Sequence, residues 1–523
     1  MMSLAMAAIL ACGAPGADAG GASFVVTLDA KASDAPRTGR LIVSVIRADS
    51  KVAGQDPLNA PFWEDPQPMY GADVRDLPPE GRVTIDDSAS SFPGPASALP
   101  PGAYRAAARL DVFRVSSSWR RHDGNLFSDP VEFTVPETGR VEVPLRLIHA
   151  TRIEPARGVP DTDVVSIDSR ILAPVNGRPV SLRASVMKPV GFDPVREYAA
   201  IYEVPGFGGD HTGVGTFHPW RARAGSGAEA TVELRRRAFY IVLDPESPNG
   251  HTLFADSDNN GPRGRALVEE LIPAIESRYP LIRKPQARLL RGHSSGGWST
   301  LWLALTYPET FGACWSSSPD PVDFHCFQRA NIYDDANFYT DASGRDHPSY
   351  RQGDAATMSI RQENSMEECI GAANTSGQQW DSWFATFGPR DASGRPAALF
   401  DPATGVIDKT LLDHYRAYDL TARLRADAGR LGPIFKQRVR LLVGDKDNFY
   451  LNEAVERLKT EVDKLSFFTL PEGANGYIKI LPGLDHGTIF GAKEMRAIHA
   501  EMLAHLRRTG LVPEAGAADA PSK

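Results

Sequence analysis

The stretch Gly292-His293-Ser294-Ser295-Gly296 brackets one serine between glycines, after the apolar run "ARLLRG" and before "SSGGWSTLWLALTY". The first run has the length of a buried strand, and the second places Trp298, Leu301 and Leu305 on one side of a helix. G-x-S-x-G at a strand-to-helix turn is a nucleophile elbow. Its glycines admit a bend too tight for flanking Cβ atoms, and the bend pushes the serine oxygen clear of the sheet beside the positive end of a helix. The chemistry on offer is attack by Ser294 on an electrophilic carbon.

A serine hydroxyl is a weak nucleophile at neutral pH, so it needs a base, and the base needs an orienting group. On scaffolds with such an elbow the chain order is Ser, acid, His, each just after a strand. "RVRLLVGDKDNFYL" supplies a strand ending in Gly444-Asp445-Lys446-Asp447, and "YIKILPGLDHGTIF" supplies the last strand followed by Asp485-His486-Gly487. Of 12 histidines, only His486 follows a strand, in a glycine-flanked loop downstream of an acid candidate. His499 and His505 are expected on the polar side of the last helix, and His293 lies inside the elbow. The G-x-x-D spacing favours Asp447 as the acid, with Asp445 as the alternative, while Asp485 is adjacent to the base and should point elsewhere. Charge developing on a carbonyl oxygen also requires donors. The Ser295 N–H is one candidate and the Phe207 N–H of "IYEVPGFGGDHTG" is the other, the alternative for that loop being a plain glycine-rich turn. None of this requires a metal or organic cofactor.

"DSDNNG", Asp256 to Gly261, imitates the start of a calcium loop, but its twelfth position is Leu267, which offers no carboxylate. It reads as a turn or pocket wall at the carboxyl edge of the sheet. The four cysteines lack metal-ligand spacing. Cys314 belongs in a buried strand, and Cys326 with Cys369 could pair in an oxidising compartment.

These residues must be positioned by a chain of 523 residues, too long for one ordinary core. Hydrophobic residues at 42% exclude general disorder, and a net charge of -8 without Lys/Arg-rich runs argues against a nucleic-acid partner. Residues 1–22 resemble an export signal: Leu4 to Ala11 is a short apolar run, and Ala17-Asp18-Ala19 suits cleavage. Ile9-Leu10-Ala11-Cys12 partly resembles a lipid-attachment box, and a misplaced start before a cytoplasmic enzyme is the remaining alternative. No other segment is a transmembrane candidate. Residues 23–155 show short alternating strands and predict a small antiparallel β-sandwich domain. From about residue 160 strands alternate with helices, the pattern of a doubly wound, mostly parallel α/β sheet. Three helical stripes stand out, with Leu271, Val455 and Met502 among their members, and Pro273 predicts a kink in the first. Residues 512–523 form a loose tail.

Residues 160–511 resemble the α/β-hydrolase superfamily, and within it the esterase group that includes esterase-D-like, feruloyl and enterochelin esterases. The resemblance rests on "VPGFGGD", "ALVEELIPAIESRYPL", "GHSSGGWST", "YPETFGACWSSSPD", "VGDKDNFYL" and "PGLDHG". It implies a triad of Ser294, Asp447 and His486 acting on a small-molecule carboxylic ester. Enterochelin esterases also carry a β-sandwich ahead of the hydrolase domain. Pro205 departs from the His-Gly of many relatives. Residues 319–437 are a long cap insertion rich in aromatics (Tyr333, Phe338, Tyr339, Trp380, Trp383, Phe384 and Phe387), suited to gripping an acyl or aryl group or to forming the cap's own core. The reading is an exported serine esterase, periplasmic or secreted. Its rivals are an acyltransferase using the same triad and a non-catalytic envelope binding protein on a hydrolase scaffold.

Overall fold

A computed structural model describes residues 21–153, 158–215, 229–465 and 476–513. The N-terminal apolar run with Cys12 and nearly all of the expected tail lie outside the described residues. Among those described, no helix is long and apolar enough to cross a membrane. The chain forms two compact units: Met1–Val112 with Gly124–Thr151, and Phe113–Asp123 with Arg152–Lys523.

The first unit holds a three-stranded sheet containing Gly21–Leu28 and Arg140–Leu147, and a larger sheet containing Arg37–Arg47 and Gly102–Asp111. Alternate residues of both sheets, including Phe24, Val26, Leu41, Val43 and Leu145, share one buried cluster. Gly21–Leu28 pairs with Arg140–Leu147 in parallel, which departs from the antiparallel expectation. These strands are far apart in sequence, so no hairpin turn forces them to run in opposite directions.

The second unit is built on eight strands: β1 (Thr162–Asp168), β2 (Ser181–Met187), β3 (Ala199–Val204), β4 (Ala238–Leu243), β5 (Arg288–His293), β6 (Ala313–Ser317), β7 (Val439–Gly444) and β8 (Tyr477–Leu481). Their order is β1-β2-β4-β3-β5-β6-β7-β8. Strands β3 to β8 are parallel, and β2 runs against both its neighbours. The central runs are buried on both faces, which is why they read as continuous apolar stretches rather than alternating ones.

Helices α1 (Ser295–Thr306), α2 (Gln379–Phe387), α3 (Leu451–Asp463) and α4 (Ala492–Arg508) matter for the site. Helix α1 is buried from Ser295 to Leu305 rather than on one face. Insertion residues cover its other side: Trp298 packs on Phe387 at 5.2 Å, and Trp302 stacks on Tyr418 at 5.4 Å between ring centroids. Phe338, Tyr339, Trp380, Trp383, Phe384 and Phe387 are all buried in the same cluster as Leu290 and Leu441 of the sheet. Their rings are core, the second of the two expectations for them, in a cluster shared with the sheet, and Tyr333 packs half-buried against it. The helix containing Pro273 relaxes into a π-turn over Leu267–Leu271, the response expected where proline has no N–H for the ladder.

A Cβ at Gly296 would fall on the Val204 carbonyl oxygen and within 2.7 Å of the Pro205 oxygen. Gly296→Ala is expected to destabilise the fold by about 2–4 kcal/mol. Gly429→Ala, in a helix with nothing within 4 Å of the new Cβ, should leave stability unchanged or raise it. Thermal unfolding of the two variants checks the contrast.

Candidate active site

Because β3 to β8 are parallel, the segments after their carboxyl ends converge on one edge of the sheet, where open α/β sheets bind ligands. After β5 the chain turns through Ser294 at φ 57° and ψ -127°, a left-handed conformation that side chains rarely adopt. The Ser294 N–H donates to the Ser317 carbonyl at 3.0 Å, and the Ser294 carbonyl accepts from Trp298 N–H at 3.0 Å. The half-buried hydroxyl therefore stands at the amino end of α1.

After β7, Asp447 is fully buried. Its Oδ1 accepts from Phe449 N–H at 3.0 Å and its Oδ2 lies 2.8 Å from His486 Nδ1. A carboxylate acceptor fixes the ring proton on Nδ1, which leaves the Nε2 lone pair outward. Asp445 is occupied otherwise, accepting from Gly483 N–H at 2.7 Å. The structure thus pairs Asp447, not Asp445, with the imidazole. Asp485 caps the next turn through Gly487 and Thr488. Arg351, which no sequence motif singles out, donates to the Asp447 carbonyl at 2.8 Å and to the Asp445 carbonyl at 3.1 Å.

The His486 ring is flanked by Phe449 at 4.9 Å and by His293, the neighbour of Ser294, at 4.3 Å between centroids. Among the described residues no hydrogen bond joins the Ser294 hydroxyl to the imidazole. Burial acts to lower the His486 pKa, but the charge and hydrogen bond of Asp447, with Asp320 and Asp485, outweigh it and hold the pKa above its ordinary value.

Asp320 is a site residue that the sequence reading missed. It follows β6 at the same sheet edge, in "SSSPD", and position after a strand was the signal available. It is buried, and its Oδ2 accepts from Ser295 Oγ at 2.7 Å and from Trp383 Nε1 of α2 at 2.8 Å. Its N–H donates to the Ser294 carbonyl at 3.3 Å. Burial pushes its pKa up to about 6, against the pull of Ser295 and Trp383.

The oxyanion candidates come together at the elbow. A Cβ on Gly206 would lie 3.3 Å from Ser294 Cβ, so the loop after β3 packs directly on the nucleophile turn. Gly209 N–H closes a turn onto the Gly206 carbonyl at 2.9 Å, with Gly208 at φ 73°. Phe207 has no positive φ, so this is a type II turn, and Gly208 supplies the position that needs glycine. Neither Phe207 N–H nor Ser295 N–H meets a protein acceptor among the described residues. His251, fully buried, lies 2.9 Å through Nε2 from the Pro205 carbonyl, and its Nδ1 accepts from Leu253 N–H at 3.1 Å. That pattern requires the neutral ring with the proton on Nε2, and burial holds its pKa down near 4.

His499 and His505 are buried, not on a polar face. His499 Nδ1 lies 3.0 Å from Thr231 Oγ1, and His505 Nε2 lies 3.0 Å from the Gln286 carbonyl. Both sit beside the apolar stripe, His499 four residues after Met495 and His505 three after Met502, so the buried face of α4 is broader than the stripe. Asp256 is engaged by Arg265 N–H at 3.1 Å and Tyr307 hydroxyl at 2.7 Å, a turn arrangement. Asp323, His325 and Asp419 bring possible ligand atoms within 4.8 Å of one another. They already serve each other and their surroundings: Asp323 faces Arg457 at 3.2 Å, and Asp419 accepts from Tyr333 hydroxyl at 2.9 Å. No disulfide joins Cys326, which is half-buried, to Cys369, which is buried.

A mostly parallel sheet with a strained serine turn at its carboxyl edge defines an α/β-hydrolase-type protein. Residues 181–467, more than half of the chain, match the family described as "Putative esterase", and the chain belongs to that family. Solved structures resemble it at low identity. The fluorophosphonate-binding serine hydrolase FphF of Staphylococcus aureus is 14% identical, with 65% of this chain and 98% of that one covered and a TM-score of 0.35. An S-formylglutathione hydrolase from Agrobacterium tumefaciens is 16% identical, with coverages of 65% and 95% and a TM-score of 0.36. Est1E from Butyrivibrio proteoclasticus is 14% identical, with coverages of 65% and 98% and a TM-score of 0.34. No curated protein matches the chain in sequence.

Titration of His486 followed by NMR should give a midpoint above the ordinary histidine value of about 6.5. Asp320→Asn removes one of the charges that raise it, so its midpoint should fall. An unchanged midpoint in that variant would show that Asp320 does not act on the ring.

Proposed function

We propose that the protein is a serine esterase in which Ser294, His486 and Asp447 form the triad, with Ser295 and Phe207 N–H groups as oxyanion donors. The observation that carries this reading is the 2.8 Å Asp447–His486 pair beside the strained Ser294 turn. Ser294 Oγ attacks the ester carbonyl carbon while His486 Nε2 takes its proton. Asp447 holds the ring and stabilises its charge. Collapse of the tetrahedral intermediate breaks the C–O bond, and the departing alcohol takes the proton from His486. Water then attacks the acyl-serine, giving its proton to the same nitrogen, and releases the acid and free Ser294. In the same reading residues 1–22 are an export signal, residues 23–155 are a β-sandwich domain, and residues 160–511 are a hydrolase domain whose insertion, 319–437, caps it.

Purified protein should hydrolyse p-nitrophenyl acetate and bind a fluorophosphonate probe covalently. Ser294→Ala should lose at least about 1000-fold in turnover and all labelling. Full activity in that variant would overturn the assignment.

The imidazole accepts a proton only when neutral, so kcat/KM should fall as pH drops through the His486 pKa. With that pKa raised, the acid limb should lie above about 6.5. A pH–rate profile flat down to pH 5 would contradict His486 as the base.

A further inference from the structure

Residues 113–123, "FRVSSSWRRHD", lie in sequence between Gly102–Asp111 and Leu126–Phe127, two strands of the first unit, yet the segment belongs to the second unit. Its anchors are specific. Ser117 N–H donates to Glu246 Oε2 at 2.7 Å, just beyond β4, and Ser117 carbonyl accepts from Gln378 Nε2 at 2.9 Å, at the start of α2. Arg114 donates to the Ile370 carbonyl at 3.0 Å and also to that of Thr375. Near its end, Arg121 Nη2 donates to the Gly208 carbonyl at 2.6 Å, and its Nε lies 3.1 Å from Asp210 Oδ2. Asp210 is itself buried and tied through Oδ1 to Thr212 N–H at 2.8 Å.

These contacts fall on the turn that carries Phe207. A peptide plane beside glycine rotates cheaply, because no Cβ resists the change of φ. The sequence Gly206-Phe207-Gly208-Gly209 therefore does not by itself hold the Phe207 N–H in one direction. His251 pins the Pro205 carbonyl before the turn, and Arg121 pins the Gly208 carbonyl; that carbonyl shares a peptide plane with the Gly209 N–H, which in turn holds, at 2.9 Å, the Gly206 carbonyl of the plane that carries the Phe207 N–H. The second peg is charge-assisted and two-pronged, because one guanidinium holds both the carbonyl and the Asp210 carboxylate.

We propose that residues 113–123 are a working part of the esterase site, with Arg121 as a positioning residue that fixes the Phe207 oxyanion donor. The inference rests on the serine-esterase reading above. It gives residues 113–123, which lie in sequence between two strands of the first unit, a role in turnover.

The test uses the full-length protein, with Arg121→Ala and Arg121→Lys compared on p-nitrophenyl acetate. A misdirected donor weakens transition-state binding more than substrate binding. In Arg121→Ala kcat should fall about 10- to 100-fold, with KM held within about twofold. Inhibition by phenylboronic acid, whose tetrahedral serine adduct needs the same donors, should weaken in step with kcat. Arg121→Lys should restore part of both. A merely structural residue would lower Tm without this split between kcat and KM. If Arg121→Ala does not fold, Arg121→Gln, which keeps length and a donor but no charge, is judged by the same criteria. A folded variant with kcat within twofold of the parent, or with loss confined to KM, overturns the proposal. If the parent protein is inactive, or Ser294→Ala remains active, the esterase reading itself fails.

Discussion

The backbone of Ser294 is the constraint on which the second unit depends. A non-glycine residue at φ 57° and ψ -127° costs on the order of 1–3 kcal/mol and persists only where its surroundings over-determine it. Here they do. The carbonyl of Ser317 takes its N–H, Trp298 and Asp320 N–H groups share its carbonyl, and Gly296 lies against the β3 backbone where any Cβ would collide. The burial of α1 on every side, Trp298 and Trp302 included, locks the helix that follows. Strain is thus held by packing on both sides of the residue, which itself stays half-buried.

Around that serine, burial and charge give similar side chains different properties. His251 and His486 are both imidazoles at this sheet edge. The first has a carbonyl as its partner and stays neutral, while the second faces the Asp447 carboxylate and gains proton affinity. Asp320 and Asp447 are both buried carboxylates after neighbouring strands. Asp447 receives backbone N–H groups and the imidazole, whereas Asp320 receives a serine hydroxyl and an indole. The insertion contributes that indole, so its aromatic residues support the elbow from within the core instead of meeting a ligand.

Legibility in the sequence followed the range of the interactions. The apolar runs that open at Ala287, Arg438 and Tyr477 hold strands β5, β7 and β8, and the helical stripe that includes Val455 is the buried face of α3, with Leu451, Ala454, Leu458 and Val462 beside it. These are local patterns, set by whether two faces or one meet apolar neighbours. The G-x-S-x-G turn was readable for the same reason, since glycine at 292 answers a contact its own turn creates, with the Gly296 backbone. By contrast, the burial of His499 and His505 comes from chain segments more than two hundred residues away. Their place beside the apolar stripe was readable, since His499 follows Met495 by four residues and His505 follows Met502 by three, but the partners they meet were not.

The amino-acid sequence by itself determined the strand-helix rhythm, the bend at Ser294 and the short list of acids and bases following strands, because backbone sterics and burial periodicity act over a few residues. Tertiary structure alone decided which members of that list meet. It set Asp447, the acid the spacing favours, against His486 while Asp445 meets Gly483, and beyond that list it placed Asp320 against Ser295 and Arg121 against the loop of Phe207 and Asp210. Hydrogen bonds and ion pairs of 2.5–3 Å depend on where distant segments are brought to rest, and that is a property of the assembled sheet rather than of any stretch of chain.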